Sequence, residues 1–447
     1  MTPQPPADPL AGKRLEATLP DAKPVYTPGE AVAEASRCLY CHDAPCVTAC
    51  PTGIDIPGFI RRIGTGNVRG SAHTILSANL LGYSCARVCP VEVLCVGACV
   101  YNAWHRSPPI AIGRLQRYAV ESVLDDGSAN ALLPRAPATG RKVACVGAGP
   151  ASLACAGYLA LEGVAVTLFE KRALPGGLNA TGVAPYKLHA EDSVAEVAFV
   201  RALGVDIRTG VEVGVGVSAK TLLEEYEAVF LGGGLGADST LGLPGEDGPG
   251  VEGAVGWIER MKLEAGFALN GVQRAVVIGG GNTAIDAARE LAQLGVPDVR
   301  LLYRRTRKEM SGYAHELEHA RLEGVRFVEN AVPKRFERDR TGQLAGVTLD
   351  GGKTVPCELA VVAIGQKHQT GLARQFPGVA TDGSGRIVAD PWTGRTGNAR
   401  VFAGGDALNG GELVVTAVQE GKRAARAICA ALGLRVRPDS PMNVGHR

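Results

Sequence analysis

The sequence predicts an α/β chain. An N-terminal α-helical domain precedes two Rossmann-like nucleotide-binding domains, the second inserted in the first. Three observations carry this. Eight of the twelve cysteines fall between Cys38 and Cys99, in two tight runs set among short helical patterns. A strand, a glycine turn and a helix follow one another over residues 142–162, and the pattern returns about 130 residues later at 275–294. Short apolar stretches at 360–365 and 401–405 then stand as the strands that finish two sheets.

Composition bounds the class. The 447 residues are 46% hydrophobic and 21% charged, ordinary for a soluble globular protein, and leave room for about two to four domains. A net charge of +2 with scattered Lys and Arg points away from nucleic acid. The 59 glycines suit backbone turns around phosphates. No run of 18 apolar residues occurs, so no membrane span is expected. Residues 1–15 lack the apolar core of a signal peptide. Dense cysteine without such a signal points to a reduced, cytoplasmic metal site and not to disulfides.

In chain order, residues 1–30 are Pro-rich and expected to run extended over the surface. Residues 31–122 read as short helices between Cys loops, for example 56–64, 70–78 and 112–124, and 126–140 as a linker. The first βαβ unit is strand 142–146, turn 147–152, helix 153–162 and strand 165–169, ending at Glu170. The second is strand 275–278, turn 279–283, helix 284–294 and strand 299–303; a helix at 416–432 closes the chain.

The first Cys run is Cys38-x2-Cys41-x4-Cys46-x3-Cys50-Pro51 and the second Cys85-x3-Cys89-Pro90-x4-Cys95-x3-Cys99. Such spacings, with Pro after a Cys, suit loops that wrap an iron–sulfur cube. Zinc is the rival chemistry. Structural zinc sites pair two Cys-x2-Cys knuckles or add His, and this chain has one such knuckle, with His42 beside it. Cys runs followed by two dinucleotide turns suggest a machine that turns a two-electron hydride into single electrons.

The first turn is Gly147-Ala-Gly149-Pro150-Ala151-Ser152. Gly147 permits the bend, and Gly149 lets the backbone approach a pyrophosphate resting on the next helix N-terminus. Glu170 lies 21 residues beyond Gly149, placed to accept from ribose hydroxyls. Gly176-Gly177-Leu178 and the distant Gly404-Gly405-Asp406 select FAD, the pattern of two-dinucleotide flavoproteins. Lys171, Lys187 and Thr416 join the candidate cofactor contacts. The second turn is Gly279-Gly280-Gly281-Asn282-Thr283-Ala284, with Gly365 downstream. Its acid position holds Tyr303-Arg304-Arg305, with Arg307 close by. A guanidinium suits a 2′-phosphate, so this site leans to NADPH over NADH. The expected domains are 1–125 (helical, iron–sulfur), 126–240 and 370–447 (FAD) and 241–369 (NAD(P)).

Cys145 and Cys155 are too far apart in sequence for the close redox pair of a disulfide reductase; with Cys357 and Cys429 they read as small buried hydrophobes. No Ser/His/Asp set stands out, and hydride transfer needs no side-chain acid or base. No catalytic residue is expected.

Arg37 to Thr52, Leu81 to Cys99 and Ile110 to Gln116 together resemble the N-terminal region of dihydropyrimidine dehydrogenase. The chain is similar to the separate bacterial flavin subunit of that family over about residues 28–435, and the wider group includes the glutamate synthase small subunit. The five residues between Cys89 and Cys95 follow the dihydropyrimidine dehydrogenase spacing, where the glutamate synthase subunit has Cys-Pro-Ala-Pro-Cys. The resemblance implies two [4Fe–4S] clusters. One takes Cys38, Cys41, Cys46 and Cys99; the other takes Cys50, Cys89, Cys95 and Gln116, although the loop before Gln116 is one residue longer here. Cys85 has no ligand role in that pattern. It further implies an electron-input subunit that passes electrons from NAD(P)H through FAD and the clusters to an FMN-containing partner interconverting uracil or thymine and their 5,6-dihydro forms. The partner would carry the pyrimidine site, because no FMN barrel follows Asp406, and a cytoplasmic hetero-oligomer is expected. The bacterial branch is taken to use NADH, so the nicotinamide choice stays open.

Overall fold

The computed structural model describes residues 10–104 and 108–445. It divides into two compact units. One comprises Ala22–Ala180, Glu191–Leu235 and the chain from His368 on; the other comprises the chain through Asp21, Thr181–Ala190 and Gly236–Lys367.

The first unit begins with short helices. Pro28–Ser36 opens on a capping box in which Thr27 and Glu30 satisfy each other's backbone N–H groups. Ile56–Gly64 buries Ile56, Phe59, Ile60 and Ile63, one stripe at helical spacing. Val68–Ala78 and Ile112–Asp125 pack on it, and Gly82–Val88 packs on Ile112–Asp125. These helices share one core with the nucleotide fold that follows: Phe59, Leu115, Leu159 and Ile428 belong to a single buried cluster. The sheet is parallel, in the order Val401–Ala403, Ala228–Leu231, Lys142–Val146, Ala165–Glu170, Asp206–Thr209. The first four strands are buried on both faces, which explains their largely apolar runs, whereas Asp206–Thr209 at the edge is mostly exposed. Helix Pro150–Leu161 lies against helix Val414–Ala431, and Gly421 permits that closeness: a Cβ there would meet the Ala151 carbonyl oxygen at 2.1 Å.

The second unit has its own parallel sheet, in the order Val251–Gly253, Leu359–Ala363, Arg274–Gly279, Asp298–Leu302, Arg326–Val328. It also holds an antiparallel sheet of Pro333–Arg338, Leu344–Leu349 and Thr354–Pro356, which the sequence reading did not anticipate. Part of its signal was present: the Asp339–Gly342 and Asp350–Gly352 segments are turn chemistry on either side of Leu344–Leu349.

The N-terminal expectation needs correction. Residues 1–9 lie outside the described residues. Beyond them, the chain does not run loosely over the surface: Glu16 is fully buried, pairs with Arg14 at 3.2 Å and accepts the Ala190 N–H at 3.1 Å. Leu19 is buried too, and a helix begins at Pro28. The phosphate-turn helices also start earlier than expected, at Pro150 and Asn282, because each glycine turn is itself the N-cap. Among the described residues no helix is long and apolar enough to cross a membrane.

Candidate cofactor sites

The twelve cysteines are all unpaired, and two sets of them line two cavities of the helical half. Cys38, Cys41, Cys46 and Cys99 share the first with Leu39 and Tyr101. Tyr40, between Cys38 and Cys41, adopts φ 52°, a left-handed bend held by Arg61 stacked 4.8 Å above its ring. Gly97 lets the second loop close tightly, since a Cβ there would lie 2.1 Å from the Glu92 carbonyl oxygen. Burial pushes the Cys46 thiol up to about 12, with Cys38 and Cys99 adding to the rise. Crowded, desolvated thiols of this kind become good ligands when a cationic centre relieves them.

The second cavity is lined by Cys50, Cys85, Cys89, Cys95, Asn79 and Gln116. The Gln116 amide nitrogen donates to the Gly82 carbonyl at 2.6 Å, which anchors the side chain by that end. Cys85, left without a role by the family pattern, sits on the same wall one helical turn before Cys89. Its thiol donates to Cys89, so the Cys89 pKa is lowered by that bond while its own is raised. Lys23 donates to the Cys89 carbonyl at 3.0 Å. Lys422 donates to the Ala78 carbonyl at 3.1 Å; burial pulls it down to about 7, with Cys50 acting in the opposite direction.

The donor sets distinguish between metal chemistries. Among the described residues no three His, Cys, Asp or Glu side chains converge to hold a single metal ion. Each cavity is instead lined by four cysteines, Cys38, Cys41, Cys46 and Cys99 in the first and Cys50, Cys85, Cys89 and Cys95 in the second. Thiols set around a cavity in this way fit a cluster, and fit zinc poorly.

Glu196 was invisible to sequence reasoning. It reaches helix Gly82–Val88 and accepts the Tyr83 and Ser84 N–H groups at 2.9 and 3.0 Å, with the Ser84 hydroxyl also bonded to it. Burial pushes its carboxyl up to about 7. It satisfies the orphan donors at the start of the helix that carries Cys85.

In the first sheet, Gly147 has φ +87°, and a Cβ there would meet the Gly232 carbonyl oxygen at 2.7 Å. Gly149 faces open space, with no atom within 4 Å of where a Cβ would stand, and caps helix Pro150–Leu161. Ala151 begins that helix's buried face, and the Ser152 hydroxyl turns back to the Val146 carbonyl at 3.2 Å. Gly177 presses on this turn: its Cβ would fall 2.7 Å from the Gly149 Cα. Glu170 accepts the Ala148 N–H at 2.7 Å and the Arg172 N–H at 2.8 Å, and each oxygen keeps a lone pair for a ribose hydroxyl. Gly405 has φ +68° and donates to Glu420; Asp406 beside it is pushed up by burial. Thr416 and Leu178 are half-buried at helix starts, and Lys171 is exposed, 3.5 Å from Gln369. These residues form an open phosphate cradle with an acid beside it, which fits a dinucleotide.

The second unit repeats the cradle. Gly280 leaves room for the Tyr303 ring, whose edge a Cβ would strike at 2.3 Å. Gly281 caps helix Asn282–Gln293, and the Asn282 side chain accepts the Tyr313 N–H at 2.9 Å. Thr283 is exposed in the first turn, and Gly365 (φ +107°) accepts the Ser239 N–H at 2.8 Å. Arg304 and Arg305 are both exposed; Arg305 reaches Glu309 only at 4.0 Å, whereas Arg307 is engaged by Glu318. Lys187, named as a cofactor contact, lies in this unit and pairs with Asp286 and Glu316, each at 2.8 Å.

Residues 141–421 match the family model "Pyridine nucleotide-disulphide oxidoreductase", and residues 16–128 match "Dihydropyrimidine dehydrogenase domain II, 4Fe-4S cluster". The chain belongs to the pyridine nucleotide-disulphide oxidoreductase family. Within it, the chain is 36% identical over 411 residues to the NAD-dependent dihydropyrimidine dehydrogenase subunit PreT of Escherichia coli O157:H7, covering 92% of this chain and 96% of that protein. It is 32% identical over 459 residues to the glutamate synthase [NADPH] small chain of Escherichia coli K12, covering 95% and 96%. Among solved structures, Mycobacterium tuberculosis FprA in complex with NADPH aligns at TM-score 0.52 and 22% identity, covering 68% of this chain and 88% of that one. T. acidophilum thioredoxin reductase aligns at 0.52 and 23%, covering 65% and 98%. These two likenesses concern the fold alone. The chain is an NAD(P)H-dependent oxidoreductase of FAD and 4Fe–4S clusters. Strand and helix of the first βα unit bring Cys145 and Cys155 side by side, fully buried, although nine residues separate them in sequence.

Proposed function

We propose that this chain is the electron-input subunit of a dihydropyrimidine dehydrogenase, joined in a hetero-oligomer to an FMN-containing partner that interconverts uracil or thymine and their 5,6-dihydro forms. The observation that carries the proposal is the second cavity. Gln116 lines it with Cys50, Cys89 and Cys95 and is tethered through its nitrogen, which leaves the amide oxygen as the end available for ligation. Cys38, Cys41, Cys46 and Cys99 would hold the other cluster.

When bound, the nicotinamide supplies an electron pair, FAD accepts it and the clusters pass electrons singly. The chain's own residues bind and orient. The helix starting at Pro150, with Gly149 ahead of it, would seat the FAD pyrophosphate, and Glu170 would take the ribose. The helix starting at Asn282 would seat the NAD(P) pyrophosphate, with Arg304 and Arg305 on a 2′-phosphate. The residues 126–240 and 370–447 would make the FAD domain, and 241–369 the NAD(P) domain. A neutral amide in place of a fourth thiolate makes the second cluster less negative, which alters its potential.

The test is anaerobic reconstitution of the purified chain with an FMN-bearing partner from the same host. NAD(P)H-driven uracil reduction that requires both proteins supports the proposal. Glutamate formation from glutamine and 2-oxoglutarate with a co-purifying large subunit would move the chain to the glutamate synthase branch.

A further inference from the structure

Asn79 follows helix Val68–Ala78 and is fully buried. Its side-chain oxygen accepts the Leu81 N–H at 2.9 Å. A backbone N–H requires an oxygen opposite it, so this bond fixes which end of the amide is which. The other end, Nδ2, is buried and has no hydrogen-bond partner. The side chain lines the cavity of Cys50, Cys89, Cys95 and Gln116. Cys85 is near enough for Asn79 to lower its pKa, yet no bond of normal geometry forms between them. A buried amide N–H2 without an acceptor is costly, and native interiors rarely tolerate it. The wall it faces is the one that would surround a cluster's sulfurs.

We propose that Asn79 is a positioning residue for the second cluster, its amide donating a hydrogen bond to a sulfur of the group held by Cys50, Cys89 and Cys95. Such a bond stabilises the more negative, reduced cluster, so it raises the reduction potential. The same bond satisfies the amide, and the Leu81 anchor keeps it aimed without rotamer freedom. This rests on the assignment of that cavity to a cluster, and not on the identity of the partner subunit.

The experiment is a dye-mediated anaerobic titration of the full-length chain, followed by the electron paramagnetic resonance of its reduced clusters. Asn79→Leu keeps close to the size of the side chain and loses the donor without adding charge; Asn79→Ala loses the donor as well. Both variants should keep wild-type iron content. One cluster should become harder to reduce by about tenfold in its equilibrium, about 59 mV for one electron, while the other, lined by Cys38 and Cys99, stays unchanged. Wild type transferred to D2O should show an exchangeable deuteron coupled to that cluster which both variants lack. Full iron with unmoved potentials, or the same deuteron coupling in both variants, overturns the proposal. If Asn79→Ala fails to fold, Asn79→Leu decides. Iron for only one cluster in wild type would instead refute the second-cavity assignment, a distinct failure.

Discussion

Gly149→Ala separates cofactor binding from folding at the first phosphate turn. In the structure Gly149 has φ −79°, and an added Cβ meets no atom within 4 Å, so the substitution leaves the cofactor-free chain's stability within about 0.5 kcal/mol. The same methyl would occupy the space through which the backbone approaches a pyrophosphate. Hydrogen bonds to a charged group are worth about 1.5–3 kcal/mol each. Losing about two of them weakens FAD by roughly 3–6 kcal/mol, roughly a hundredfold to ten-thousandfold. Gly147→Ala is the contrast. Its φ of +87° costs an alanine about 1–2 kcal/mol. The overlap with the Gly232 carbonyl oxygen at 2.7 Å adds a comparable amount. The cofactor-free chain should therefore melt several degrees lower. Flavin fluorescence titration of deflavinated protein reads the first effect, and thermal melting the second. A Gly149→Ala chain that binds FAD with wild-type affinity would refute the cradle.

Arg304→Ala combined with Arg305→Ala should weaken NADPH by about 2–4 kcal/mol and leave NADH nearly unchanged; a wild type that prefers NADH in binding titrations would remove the 2′-phosphate role. Cys89→Ser should lose one cluster, about four irons per chain, while Cys85→Ser keeps its iron; equal losses by iron analysis would mean that the ligand assignment is wrong. Glu196 supplies a pH test, because burial raises it to about 7 from about 4.3 when free. The folded chain then holds a proton that the unfolded chain has released. This contribution to stability is complete below about pH 4.3 and is lost as pH rises through 7, at about 1.4 kcal/mol per pH unit in between. Denaturant melts of Glu196→Gln should lack that slope, and an unaltered slope would show that Glu196 does not titrate there.

Features written within a few neighbouring residues were legible in the sequence. The two glycine turns were readable because Gly147 and Gly149, or Gly280 and Gly281, act on the backbone of their own loop, between a strand and a helix whose periodicities announce themselves. The cysteine runs were readable because their members are close neighbours in short loops. Strand Val401–Ala403 was recognisable from its apolar run and paired glycines, although its partner Ala228–Leu231 lies far away in sequence. The antiparallel sheet at 333–356 was missed because its edge strand Pro333–Arg338 is partly exposed and carries no β-branched residue to announce it.

Tertiary packing alone decided the rest. Nothing near Cys85 in sequence says that it shares a cavity wall with Gln116. Glu196 meets the Ser84 N–H from 112 residues away. Lys187 finds Asp286 across 99 residues and is thereby tied to a carboxylate pair. Asn79 lines the second cavity with its oxygen claimed by the Leu81 N–H and its nitrogen buried, because the packed helices seal off water. Which groups a buried side chain meets depends on where distant segments come to rest. Local sequence sets the chemistry a residue offers, whereas the fold sets the partner it finds.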